Sequence, residues 1–218
     1  MKKLSSKQKV LLSLIFIIFF YMSFSYVMTK RNKAAIANSI QWIESYEGTY
    51  ELYPLPAWYV SSPKFLQDLL DNFYYSEIIS INLSRTGISI IHTLKEFSEL
   101  KELNMNGTKI NSLDFVKEND QLENLFLNST FISDLSPIQN LKNLKKLDIS
   151  YTKVSDFKLI PNFQKLEVLS IRGLTVKELD FIYQLPELKV LEVSYDFDRE
   201  AVEQINIKHP KCKVLVSP

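Results

Sequence analysis

The chain has 218 residues, with 26 Lys or Arg, 25 Asp or Glu and 46% hydrophobic residues, which is long and apolar enough for an ordered core and excludes a disordered or low-complexity protein. All seven charged residues of positions 1–33 are basic, so the remainder holds 19 basic against 25 acidic residues, a net charge of −6 whose overall field does not draw that part to nucleic acid or anionic lipid. Cys212 is the single cysteine, which excludes an intrachain disulfide.

Residues 1–9 form a basic segment with Lys2, Lys3, Lys7 and Lys9, expected to be cytoplasmic. From Val10 to Met28 the chain carries no charge, and at 1.5 Å per residue this run makes about 28 Å of helix, close to a bilayer's hydrocarbon thickness. Residues 10–28 are therefore expected to be a transmembrane helix acting as a signal anchor, single-pass, with an extracytoplasmic C-terminal domain. The alternative is a cleaved signal peptide, with Ser23-Phe24-Ser25 supplying small residues at the cleavage positions. That would leave the protein secreted or periplasmic.

Residues 34–77 read as a helical N-terminal cap. Ile36, Ile40, Ile43, Trp42 and Tyr46 make an apolar helical stripe that ends at Gly48. Thr49 to Val60 is aromatic and Pro-punctuated and reads as a loop or short ribbon. Ser62 as N-cap and Pro63 at the first helical position open a second helix with Phe65, Leu66, Leu69 and Leu70 inward.

Self-similarity organises the next segment. Leu100, Leu122, Leu144, Leu166 and Leu188 recur at intervals of 22, and one step back lies Ile78. Each opens a coil with apolar residues at positions one, four and six, as in Leu122, Leu125, Leu127 and Leu144, Leu147, Ile149. Positions four and six flank an outward residue, the alternation of a strand with one buried face. Apolar residues follow at eleven (Ile88, Ile110, Ile132, Val154, Val176) and fourteen (Ile91, Leu113, Leu135, Phe157, Leu179), a spacing that fits a short helix or 3-10 turn returning the chain. One coil cannot bury its own apolar side, so coils stack and the strands form a parallel sheet.

Thr86, Thr108, Thr130 and Thr152 recur at position nine, where a buried hydroxyl can satisfy backbone groups at the turn out of the strand. Leu174 breaks this ladder in the fifth coil, which predicts a locally altered turn there. A helix of about Arg199 to Lys208 with Val202 and Ile205 inward, then a strand with Val214, Leu215 and Val216, closes the other end over residues 196–218, with Pro210 between them.

The pattern over residues 78–195, carried most completely by Leu122, Leu125, Leu127, Thr130, Ile132, Asp134, Leu135, Ile138 and Leu141, resembles the leucine-rich-repeat family in its 22-residue bacterial form. The ending at Asp198 to Val214 looks like the helix-plus-strand cap of bacterial members, and Ala35 to Phe73 resembles the N-terminal cap of membrane-associated ones. The resemblance implies an α/β solenoid, a right-handed horseshoe with a parallel concave sheet and short helices or 3-10 turns on the convex side, whose usual role is ligand recognition.

Positions three, five and seven of each coil point out of the sheet. They give a polar face of mixed charge on which Glu102, Asn104, Asn124, Phe126, Lys146, Asp148, Arg172 and Glu192 are the expected binding residues. Aromatic and arginine side chains are the usual anchors of protein interfaces, so Phe126 and Arg172 stand out, with Tyr151 and Tyr195 at the strand edge. The expected partner is a protein, with no nucleic acid, metal or small-molecule cofactor. The competing reading is a self-associating envelope element, in which the aromatic cap residues Tyr50, Tyr53, Trp58 and Tyr59 pair between copies. Catalysis is not expected. His92 and His209 lie far apart in the repeat order, Cys212 has only His209 nearby, and phosphate-binding glycine loops are absent.

Overall fold

A computed structural model of the chain describes residues 41–52 and 78–217, except positions 92, 93, 96 and 177. The described residues belong to one compact unit, residues 41–53 and 77–218. The transmembrane segment expected at residues 10–28, the second cap helix from Ser62, and Tyr53, Trp58 and Tyr59 lie outside the described residues. Among the described residues no helix is long and apolar enough to cross a membrane.

Residues 41–45 are helical and bury Ile43 completely. The helix ends in a turn at Gly48, where an added Cβ would collide with Leu83 and Ile43, so a larger residue would have to displace them. The ribbon expected after it is a strand, Thr49–Leu52 (β1), paired antiparallel with Ile78–Asn82 (β2). The strands that follow are Glu102–Asn104 (β3), Asn124–Phe126 (β4), Lys146–Asp148 (β5), Val168–Ser170 (β6), Val190–Ser194 (β7) and Lys213–Ser217 (β8). They form one eight-stranded sheet in chain order, parallel from β2 to β8. The register steps by one repeat: Leu103 pairs with Leu125, Leu125 with Leu147, Leu147 with Leu169, and Leu169 with Leu191.

Behind the sheet the chain returns through 3-10 turns at Asp114–Val116, Ser136–Ile138 and Ile160–Asn162, and through a short helix, Asp180–Tyr183 (α1). The second and third of the 3-10 turns have their start fixed by the aspartate at position thirteen. The Asp134 carboxylate accepts from the Ser136 N–H (2.8 Å) and hydroxyl (2.6 Å), and Asp156 accepts from the Lys158 N–H (3.0 Å). These bonds hold the Asp134 carboxyl below its usual range. Between the two layers lies the core: Leu100, Leu122, Leu144, Leu166 and Leu188, and the position-four and position-six residues of each coil, are at most 1% exposed. The C-terminal helix, Arg199–Lys208 (α2), is capped by the Asp198 side chain and buries Ile205 over the last coil.

The threonine ladder is structural. Each hydroxyl donates to the carbonyl three residues back: Thr86 to Leu83 (2.7 Å), Thr108 to Met105 (2.7 Å), Thr130 to Leu127 (2.8 Å) and Thr152 to Ile149 (2.6 Å). The residue before it is left-handed in each of the first five coils: Arg85, Gly107, Ser129, Tyr151 and Gly173 have φ between +54° and +71°. Gly173 keeps this conformation and the Leu174 N–H still donates to Ile171 O at 3.3 Å, so the altered turn expected at Leu174 is not found. The break comes one step later. Lys109, Phe131 and Lys153 each donate a backbone N–H to the preceding coil at Ile88, Ile110 and Ile132, but Thr175 forms no such bond to Val154. With that rung missing, Val176 and Leu179 are half-exposed, whereas their counterparts Ile132 and Leu135 are buried. A crevice of about 860 Å³ opens there, with Phe157, Thr175, Glu178 and Phe181 among its lining residues.

Candidate functional site

The strand register sets seven of the eight expected binding residues in two transverse rows. Glu102, Asn124 and Lys146 are lateral neighbours at position three. Asn104, Phe126 and Asp148 are lateral neighbours at position five, and the row continues through Ser170 to Glu192. Arg172 lies two residues past the end of β6, at the edge of the face.

Much of this polarity is already engaged. Backbone bonds between coils continue past position five, as from Met105 N–H to Phe126 O (2.8 Å) and from Gly107 N–H to Asn128 O (2.7 Å), but in the first five coils the N–H of position seven between them has no backbone partner. Where position five is Asn or Asp, its side chain supplies the acceptor: Asn82 for Ser84 (2.9 Å), Asn104 for Asn106 (3.0 Å) and Asp148 for Ser150 (2.9 Å). Phe126 and Ser170 do not serve this N–H. It is met instead from the previous coil, by Asn106 Oδ1 for Asn128 (2.7 Å) and by Ser150 Oγ for Arg172 (3.1 Å). Asn104 and Asp148 are therefore structural acceptors as well as surface groups, a role the sequence reading did not assign. In the third and fifth coils, where position five is Phe126 or Ser170, position seven of the preceding coil is Asn106 or Ser150.

The remaining polar groups form cross-coil pairs. Asn124 donates to Glu102 Oε2 at 2.9 Å, and the Ser170 hydroxyl donates to Glu192 Oε2 at 2.9 Å. Arg172 Nε stands 3.8 Å from that Glu192 oxygen, an ion pair too long for a hydrogen bond, and is buried without a hydrogen-bond partner. Lys146 is exposed. The sequence thus places a half-exposed aromatic ring, Phe126, within a floor of polar groups that are held in place by bonds to one another and to the backbone.

Residues 120–162 match a family model described as leucine-rich repeats in two copies. The coils over residues 120–162 are leucine-rich repeats. The array aligns with an internalin of Listeria monocytogenes at 17% identity over 69% of this chain and 53% of that one, with a TM-score of 0.51. It aligns with a leucine-rich-repeat protein of Leptospira interrogans at 27% identity over 62% of this chain and 36% of that one, with a TM-score of 0.55. The chain spans about half the length of the first and about a third of the second. No curated protein matches it.

The C-terminal cap holds two groups capable of chemistry, Cys212 and His209. Cys212 is buried beneath the last coil, and burial pushes its thiol up to about 11, a backbone hydrogen bond with Leu191 offsetting part of the rise. At neutral pH it is a protonated thiol and a poor nucleophile. His209 Nε2 is 2.8 Å from the Leu185 carbonyl, and His92 lies outside the described residues. Among the described residues no three His, Cys, Asp or Glu converge to hold a metal.

The raised thiol has a consequence for stability. Its folded pKa exceeds the ordinary 9.0, so the unfolded chain releases this proton first as pH rises. The contribution is complete below pH 9 and is lost as the pH climbs through about 11. We expect urea unfolding to show a steeper loss of stability between these limits for the wild type than for Cys212→Ala. Parallel curves for the two would contradict the burial of the thiol.

Proposed function

We propose that the chain is a non-catalytic protein-interaction module, held at a membrane by residues 10–28, with its leucine-rich repeats displayed on the extracytoplasmic side. The observation that carries this reading is the transverse row on the parallel sheet, where Phe126 stands half-exposed between Asn104 and Asp148. Interface anchors are typically aromatic or Arg side chains in a fixed polar surround, and here the surround is fixed by bonds within and between coils. Membrane attachment is supported by the nineteen-residue uncharged run with basic residues on both sides.

Affinity capture with the full-length chain tests the module, comparing wild type with the double variant Phe126→Ala, Arg172→Ala. We expect one dominant protein to be captured and to be lost from the double variant. Equal capture would move the binding surface off this part of the sheet. Protease protection of the repeats in intact cells tests their placement, and digestion only after the membrane is opened would reverse the proposed topology.

A self-associating envelope element is the second reading. It is favoured by the far end of the sheet, where β8 has a single neighbour among the described residues and Ile207 and Val216 are 72% and 45% exposed. A monomer at high concentration in sedimentation would count against it.

A further inference from the structure

The two edges of the sheet handle charge differently. At position two, where each strand begins, the signs alternate from coil to coil: Lys101, Glu123, Lys145, Glu167 and Lys189. Lys145 Nζ is 2.6 Å from Glu123 Oε2, and Lys189 Nζ is 2.8 Å from Glu167 Oε2. That edge neutralises itself across coils. The opposite edge, where the strands end, does not. Positions seven to twelve of the first four coils, residues 84–89, 106–111, 128–133 and 150–155, contain no carboxylate at all. They carry Arg85, Lys109 and Lys153, all exposed, and none of these forms an ion pair among the described residues.

Two exposed rings stand with these cations, Phe131 at 49% and Tyr151 at 44% exposure. Lys109, Phe131 and Lys153 share position ten. Their backbone N–H bonds to the preceding coil, 2.8, 3.0 and 2.8 Å long, hold them in register one coil apart. Lys153 Nζ lies 4.9 Å from the centre of the Phe131 ring. At position eight the side chains of Arg85 and Tyr151 lie against Gly107 and Gly173 of the following coils. The result is an edge of like charge and apolar rings on a segment, residues 34–218, whose net charge is −6.

We propose that this edge docks an acidic, extended segment of the partner protein, its carboxylates meeting Arg85, Lys109 and Lys153 and an apolar side chain between them meeting Phe131. This rests on the protein-interaction reading and assigns that partner a chemistry. Four coils span three strand spacings, about 14 Å, the reach of four or five extended residues. Charge complementarity steers such a segment and sets its register. A nucleic acid is the poorer match, because three cations on an acidic segment release few counterions and leave most of its phosphates facing like charge.

The test uses the full-length chain in a neutral detergent and fluorescence anisotropy with three labelled probes. These are a ten-residue peptide alternating Glu with Leu and Tyr, the same peptide with Lys for Glu, and a single-stranded oligonucleotide. We expect the acidic peptide alone to bind, more weakly as salt rises. The triple variant Arg85→Gln, Lys109→Gln, Lys153→Gln should bind it roughly tenfold less tightly or worse, with an unchanged thermal midpoint showing that it is folded. Lys109→Glu alone, a smaller change, should also weaken binding, and Asn140→Ala, exposed on the return side, should not. No binding of the acidic peptide, equal binding by the variants, or tighter binding of the oligonucleotide would each overturn the proposal. A cellular partner captured equally by wild type and triple variant overturns the edge alone, whereas a chain that captures no partner overturns the module reading with it.

Discussion

Leu147→Ala should lower the stability of the repeat unit by about 2–5 kcal/mol, the range for truncating a buried leucine whose surroundings relax only in part. Leu147 is 1% exposed on the central strand β5, paired with Leu125 on one side and Leu169 on the other. It belongs to the inward row that joins every coil. Coils of a solenoid couple mainly to their neighbours, so the loss should not stay local. Hydrogen exchange should quicken in the third and fifth coils as well as the fourth, and the urea midpoint should fall. An unchanged midpoint would mean that Leu147 does not face the core and that the 22-residue register is wrong.

The second large effect is expected at Asn119. Position twenty is apolar in the neighbouring coils, with Phe97, Leu141, Phe163 and Leu185. Asn119 is nonetheless 1% exposed, and its Nδ2 donates to Leu94 O and Phe97 O of the coil before it, both at 3.0 Å. These bonds fasten the first coil to the second across the return side. The two lost bonds in Asn119→Ala should cost about 1–3 kcal/mol, with exchange quickened most in the first coil. Asn119 Oδ1 has no partner, so the benefit comes from the donor side alone, and Asn119→Asp should be as damaging as alanine. Asn143→Ala is the control. Its Nδ2 bonds Asp120 O at an exposed edge, and its loss should stay within about 0.5 kcal/mol. Equal effects at Asn119 and Asn143 would contradict the stapling role.

The strands, their order and the C-terminal helix were legible in the sequence because each rests on a local period. Leu122, Leu125 and Leu127 mark a strand by spacing alone, and recurrence at 22 residues says that such strands stack. Asn119, the position-five acceptors and the crevice beside the fifth coil were not legible, because their partners lie a whole coil away or belong to the backbone. Leu174 shows the difference. Its missing hydroxyl was visible, and the expected damage was to its own turn, yet the left-handed residue and the backbone bond preserve that turn. The rung to the neighbouring coil is what is missing, and no local pattern encodes it. The binding face was legible as a set of positions. Which of its side chains are free was not, since Asn104 and Asp148 spend an acceptor on the backbone while Phe126 does not.

The central claim, that the outward side chains of the sheet receive a protein, is tested most directly by photocrosslinking in intact cells from a photoreactive residue at Phe126. The same residue at Asn140, exposed on the return side, serves as reference. The account predicts one dominant protein adduct from Phe126 and none from Asn140. The same adducts from both positions, or none from Phe126, would contradict it.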